Sequence, residues 1–192
     1  MELKGLLEVI QVQRHDFLNH LQVISGLLQL NKGERVMDYI KQVCGEYERL
    51  ARVTRLASPE IKAVILIALN EAAKHQVDFA IEFDSNLASL AIPGEVAAAA
   101  LERSIKQTMK FLAPPQVTDR RLKLSISEGE RKITFKLGVP GMAAEVAREA
   151  GEQMELAQFL APYNSSAKLA VTDKGAEVYL VFPRSTLDKV SK

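Results

Sequence analysis

The 192-residue chain carries 25 basic and 24 acidic side chains, a net charge of +1, and is 47% hydrophobic. That supplies a core for one large domain or two small ones, while the charge balance argues against a nucleic-acid or anionic-membrane surface, each of which needs a basic excess. One cysteine, Cys44, excludes an intrachain disulfide and a cysteine-rich zinc site, and with no signal peptide and no apolar run near the roughly 20 residues of a membrane span, a soluble cytoplasmic protein is expected.

Leu3, Leu7, Ile10, Arg14, Phe17, Leu21, Ile24 and Leu28 recur at spacings of four and three. All but Arg14 are apolar on a 3.5-residue period, the pattern of a coiled-coil seam. Leu6, Leu18 and Leu27 widen the stripe, as in a helix that packs in a bundle. Asn31-Lys32-Gly33 supplies a turn. A second helix follows on the same period, through Val36, Ile40, Val43, Tyr47, Leu50, Thr54 and Ala57, and is expected to stop at Ser58-Pro59. Two antiparallel helices have no core of their own. A second copy of the hairpin would complete a symmetric four-helix bundle. Packing on the rest of the same chain is the alternative. Residues 1–58 are therefore expected to form a dimerisation domain.

Residues 59–192 predict a second domain, an α/β sandwich. Glu60 to Gln76 reads as a helix buried on a sheet, and Val77 to Phe83 alternates as a strand with one wet face. Leu87 to Ile92 predicts a second short strand. Pro93-Gly94 opens a helix running to Leu112. Leu122–Ile126 and Ile133–Leu137 flank Ser127-Glu128-Gly129-Glu130 as a hairpin. A helix over 143–160 and a last hairpin, Lys168–Val171 with Glu177–Phe182, complete the chain. The fold class is α+β, with helices on one face of a mixed sheet.

The first helix carries the candidate chemistry in Arg14-His15-Asp16-Phe17-Leu18-Asn19-His20-Leu21-Gln22. His15 lies one place past the seam, about 100° round the axis, and so faces solvent. Asn19 and Gln22 share its face one and two turns later. A neutral imidazole nitrogen is a nucleophile, a neighbouring carboxylate such as Asp16 can orient the ring or hold its proton, and the Asn19 amide can hydrogen-bond a phosphoryl oxygen. Spacing alone leaves open an ordinary exposed histidine among solubilising neighbours. Asp16 and His20 are too few ligands for a metal, and His75, at the end of the third helix, suits the helix dipole.

The run Arg14 to Leu27 resembles the phosphoacceptor helix of the sporulation-initiation phosphotransferases and the dimerisation helices of citrate- and fumarate-type sensor histidine kinases. The shared pattern is Arg-His-Asp-x-x-Asn-x-Leu-Gln. The resemblance implies that His15 carries a phosphoryl group, that Asp16 assists its proton handling and that Asn19 is the accompanying amide. More weakly, the order of elements after residue 59, and Gly175 to Pro183 as a closing strand, resemble the ATPase domain of histidine kinases.

That domain departs from its pattern at three places. Gln107 stands where the resemblance asks for a magnesium-holding asparagine. Leu137, in Leu137-Gly138-Val139-Pro140-Gly141, stands where it asks for an aspartate that reads adenine. Residues 142–167 contain Gly151 alone, without a Gly-x-Gly loop. A degenerate domain without ATP or any cofactor of its own is expected. The resemblance then implies a phosphorelay phosphotransferase: His15 would accept a phosphoryl group from one response-regulator receiver and pass it to a second. Arg14, Leu18 and Gln22 would dock the receivers, which bring their own Mg²⁺. The alternatives are a non-catalytic regulator that binds a sensor kinase or receiver through the bundle, and an autophosphorylating kinase.

Overall fold

The computed structural model describes residues 3–114, 116–140, 152–172 and 175–185. It divides into two compact units, Met1–Thr54 and Arg55–Lys192.

In the first unit, α1 (Leu3–Gln29) and α2 (Gly33–Thr54) form the hairpin. The turn closes tightly: the Leu30 amide donates to the Gly26 carbonyl at 3.1 Å, and the Lys32 amide to the Leu27 carbonyl at 3.0 Å. Asn31, at φ 55, takes the left-handed position that asparagine tolerates. The apolar surface of α1 does not form one seam. Val12, His20, Ile24 and Leu27 are half-buried, whereas Leu7, Ile10, Phe17, Leu21 and Leu28 remain about half exposed, Phe17 at 53% and Leu28 at 57%. Periodicity finds every apolar position but does not say which flank meets α2.

α2 ends at Thr54, four residues before the predicted stop, because Ser58 belongs to the next helix. Its hydroxyl accepts from the Ile61 amide at 3.3 Å and Pro59 takes the first helical position, an N-cap that leads into α3 (Pro59–Lys74).

The second unit is a five-stranded sheet in the order β1-β2-β3-β5-β4. β1 (Asp78–Phe83) runs parallel to β2 (Arg121–Glu128), and α4 (Gly94–Leu112) makes the crossover that a parallel pair requires. β2 and β3 (Lys132–Pro140) are the predicted hairpin, and β4 (Ser166–Thr172) pairs antiparallel with β5 (Gly175–Pro183). The last predicted helix is seen as α5 (Glu152–Leu160), followed by a 3₁₀ turn at Ala161–Tyr163. Residues 143–151 lie outside the described residues. The helices cover one face of the sheet. The core fills with Leu122, Leu124 and Ile126 of β2, Ile133, Phe135 and Leu137 of β3, and Leu180 and Phe182 of β5, all buried. Phe135 meets Phe182 edge to face at 5.0 Å, the arrangement that aromatic quadrupoles favour.

The predicted strand at Leu87–Ile92 is a loop with one isolated bridge, Leu90 to Arg184. Leu87 sits at φ 63, which no strand allows. The loop is pinned through Glu128, whose carboxylate accepts from the hydroxyls of Ser85 and Ser89 and pairs with Arg184 at 2.7 Å. Ser85 also accepts from the Leu87 amide at 2.9 Å. These bonds hold a leucine in a conformation that it disfavours, and its side chain is buried in return.

Candidate functional site

His15 is held by a straight stretch of α1, and its side chain is 73% exposed. Its ring nitrogen Nδ1 lies 3.0 Å from the Asn19 side-chain nitrogen, one helical turn on, and 3.5 Å from a carboxylate oxygen of Asp16. The other ring nitrogen, Nε2, has no partner among the described residues. Three of the site residues expected from the sequence are thus brought together on one ring atom. The chemical consequence is specific. Nε2 attacks an electrophile only when the ring proton is on Nδ1, and both neighbours bear on that proton. The Asp16 carboxylate, 3.5 Å from Nδ1, is the nearest negative charge to it. Asn19, as placed, donates to Nδ1 and favours the opposite tautomer; turning its amide end for end presents Oδ1 to an Nδ1–H instead. The tautomer decides which nitrogen is nucleophilic, and these two neighbours are the groups placed to bias it.

Arg14, Leu18 and Gln22 are all exposed. At about 100° per residue, Gln22 lies about 20° from His15 round the axis, Leu18 about 60° and Arg14 about 100°. Leu18 borders both the His15 face and the exposed apolar stripe. His20 is not part of this cluster. It turns the other way, into the hairpin, where its Nδ1 is 2.8 Å from the Tyr39 hydroxyl. His75 ends α3, where its amide bonds the Glu71 and Ala72 carbonyls and its own carbonyl accepts from Arg120 at 2.9 Å.

In the second unit two of the three departures fall wholly on described residues. Leu137, which stands where the resemblance asks for an aspartate, is fully buried in β3, between Leu124 of β2 and Val178 of β5. Gln107 is half-buried on α4. One turn earlier on the same face, the Arg103 guanidinium lies over the Phe159 ring of α5, 4.4 Å from its centroid, so the two helices are clasped there. The glycine-poor stretch begins outside the described residues, and 152–160 is helix.

Three groups were not singled out from the sequence. Tyr39 looked like one more surface position on α2, because an isolated histidine–tyrosine pair nineteen residues apart has no local pattern. Arg103 and Phe159 lie on different helices. Glu128 looked like a turn residue, yet the Ser85 hydroxyl first, then that of Ser89 and the charge of Arg184, hold its carboxyl below the ordinary value. On the open face of the sheet Glu177 is lowered likewise, by the Tyr179 hydroxyl and then by Lys136, 3.0 Å away.

Residues 1–56 match the family model described as sensor kinase SpoOB-type, alpha-helical domain. The chain is 23% identical over 146 residues to a probable C4-dicarboxylate sensor kinase of Bacillus subtilis (strain 168), covering 74% of this chain and 27% of that protein. It is 30% identical over 87 residues to the sensor protein CitS of Halalkalibacterium halodurans, covering 44% of this chain and 16% of that protein. The chain thus spans about a quarter or less of the length of these relatives. Among solved structures, the catalytic domain of histidine kinase ThkA superposes with a TM-score of 0.53 at 10% identity, over 68% of this chain and 94% of that one. A second structure, ThkA in complex with the response regulator TrrA, gives 0.53 at 13% identity over 95% of this chain and 63% of that one. At these identities the structural matches speak for the fold. Residues 1–56 are thus similar to a helical domain of sensor-kinase type, and the sheet domain is folded like a histidine-kinase catalytic domain.

Proposed function

We propose that the chain is a phosphorelay phosphotransferase. His15 accepts a phosphoryl group from the aspartyl-phosphate of one response-regulator receiver and passes it to an aspartate of a second. The observation that carries this reading is the pairing of an exposed imidazole, whose Nδ1 lies 3.0 Å from the Asn19 amide and 3.5 Å from the Asp16 carboxylate, with a kinase-like domain whose buried Leu137 offers a nucleotide base no hydrogen-bond acceptor. The phosphoryl group then has to come from another protein.

In the first transfer the Nε2 lone pair attacks phosphorus. The N–P bond forms as the P–O bond to the donor carboxylate breaks, and that carboxylate leaves with the electron pair. The ring proton stays on Nδ1, held by Asp16 or by a turned Asn19 amide. In the second transfer the acceptor carboxylate attacks, the N–P bond breaks and its electrons return to Nε2. The protein's own contribution is positioning, which in well-oriented reactions supplies up to about 7–11 kcal/mol of a barrier. The Mg²⁺ belongs to the receiver.

Docking falls to Arg14, Leu18 and Gln22 around His15. That a ThkA structure is a complex with a response regulator supports receivers as the partner class. The exposed stripe from Leu7 to Leu28 is the face for a second copy, giving a four-helix bundle with two acceptor histidines. The stripe borders Leu18, so the docking surface and the dimer interface are continuous. The direct test is transfer of acid-labile label from a phosphorylated receiver. Label should appear on the wild type and be absent from His15→Gln.

A second reading, an autophosphorylating kinase, is favoured by the relatives, both of which are described as sensor proteins or sensor kinases. Incubation with γ-labelled ATP and no receiver separates the two. Label on His15 under those conditions selects the kinase.

A further inference from the structure

The contact between α1 and α2 holds one polar cluster among apolar side chains, half-buried Val12, Ile24 and Leu27 of α1 and buried Val36 of α2. The His20 imidazole is half-buried against α2, hydrogen-bonded through Nδ1 to the Tyr39 hydroxyl at 2.8 Å. Its ring is 5.8 Å from the Tyr39 ring and 6.4 Å from that of Tyr47. Those tyrosines are eight residues apart, about 12 Å along the helix, so the imidazole sits between them. Yet Phe17, Leu21 and Leu28, centred about 80° further round α1, stay half exposed. Both faces of α1 are apolar, Val12, Ile24 and Leu27 on one and Phe17, Leu21 and Leu28 on the other, so burial of apolar area alone does not choose between them.

We propose that the His20–Tyr39–Tyr47 clasp is the device that selects which face of α1 meets α2. It makes His20, Tyr39 and Tyr47 positioning residues for the site around His15. This rests on the reading of His15 as the phosphoacceptor. The short turn at 30–32 already limits sliding between the helices, so rotation of α1 about its own axis is the freedom left to fix. A polar group in an otherwise apolar interface fixes such choices, because every other rotation leaves it without its partner. With His20 on α2, His15 is about 140° away round the helix, and the apolar stripe points outward beside Leu18, free for a partner. Turn the stripe inward, and the imidazole takes its place on the outer surface.

The test uses the full chain with Tyr39→Phe, which removes one oxygen, with His20→Leu, and with His20→Gln, whose amide keeps a bond to the phenol. Proton NMR of side chains, selectively protonated in a deuterated background, reads the contacts of positions 17, 20, 39 and 47. Wild type and His20→Gln should give one set of signals, with position 20 against both tyrosines. In Tyr39→Phe and His20→Leu a second set should appear, populated to roughly a tenth or more, in which Phe17 contacts α2. The melting temperatures should stay within a few degrees of wild type, or rise for His20→Leu. A clasp that merely adds stability would instead lower the melting temperature and leave one wild-type set of contacts, and that result overturns the proposal. Transfer from a phosphorylated receiver is measured alongside. If wild type does not transfer, the reading of His15 falls, while the NMR contacts still decide whether the clasp sets the rotation.

Discussion

At the scale of single residues, the proposed transfer turns on one proton, that on Nδ1 of His15. Asn19 makes the closer contact to Nδ1, 3.0 Å against 3.5 Å for Asp16. An exposed charge pair at 3.5 Å is worth little. With its amide turned so that Oδ1 accepts the Nδ1 proton, Asn19 holds the reactive tautomer; Asn19→Ala is therefore expected to slow transfer to His15 about tenfold, roughly 1.4 kcal/mol of lost positioning, and Asp16→Asn to slow it less; single-turnover transfer from a labelled receiver measures both. Equal rates for wild type and Asn19→Ala would remove the tautomer argument. Glu128 makes the clearest pH prediction. Its carboxyl is lowered in the fold, first by Ser85 and then by Ser89 and Arg184. A carboxyl lowered on folding adds stability in its ionised form. That contribution is complete above the ordinary value of 4.5 and is lost as pH falls through the lower folded value. Glu128→Gln should cost about 1–2 kcal/mol at pH 7, and the difference from wild type in urea unfolding should shrink steadily below pH 4.5. A difference that does not change with pH would contradict it.

At the scale of elements, α3 and α4 begin side by side. A Cβ at Gly94 would lie 2.5 Å from a Glu60 carboxylate oxygen and 2.6 Å from the Ser58 hydroxyl, the hydroxyl that caps α3. Ser58→Ala should cost about 1 kcal/mol of stability. Gly94→Ala should cost a similar amount by displacing the cap, and less in a chain that already carries Ser58→Ala, since one interaction cannot be lost twice; thermal unfolding of the two single variants and the double variant checks this. This scale also shows what a sequence makes legible. The strands of the β2–β3 hairpin alternate apolar and polar, the turn at Asn31-Lys32-Gly33 breaks a long period, and Pro93-Gly94 opens α4; each is a local signal with a local cause. Leu87–Ile92 misleads because its composition suits a strand, while its path is dictated by Glu128, some forty residues away. The end of α2 misleads for a similar reason. Ser58-Pro59 both stops one helix and starts another, and the cap geometry decides in favour of the start. The site divides along the same line. His15, Asp16 and Asn19 sit within five residues on one turn and a half of helix and were legible. The His20–Tyr39 and Arg103–Phe159 pairs depend on tertiary packing and were not.

For the whole molecule, the proposed function rests on two features: an apolar stripe left open on the hairpin, and a sheet domain folded like a histidine-kinase catalytic domain with the hydrocarbon side chain of Leu137 buried in it. Covering Phe17 and Leu21 with a second copy is worth about 1.5–3 kcal/mol for each side chain fully buried. Replacing both with glutamate should convert a dimer to a monomer in sedimentation equilibrium, with the sheet domain still folded; an unchanged mass would assign the stripe to another partner. The origin of the phosphoryl group is the most exposed part of the account. The decisive measurement incubates the purified chain in parallel with a ³²P-labelled phosphoreceiver and with γ-³²P-ATP, then reads acid-labile label on His15. The account predicts label from the receiver, its loss in His15→Gln, its onward passage to a second receiver, and none from ATP. Label taken from ATP, or receiver-derived label that survives in His15→Gln, would contradict it.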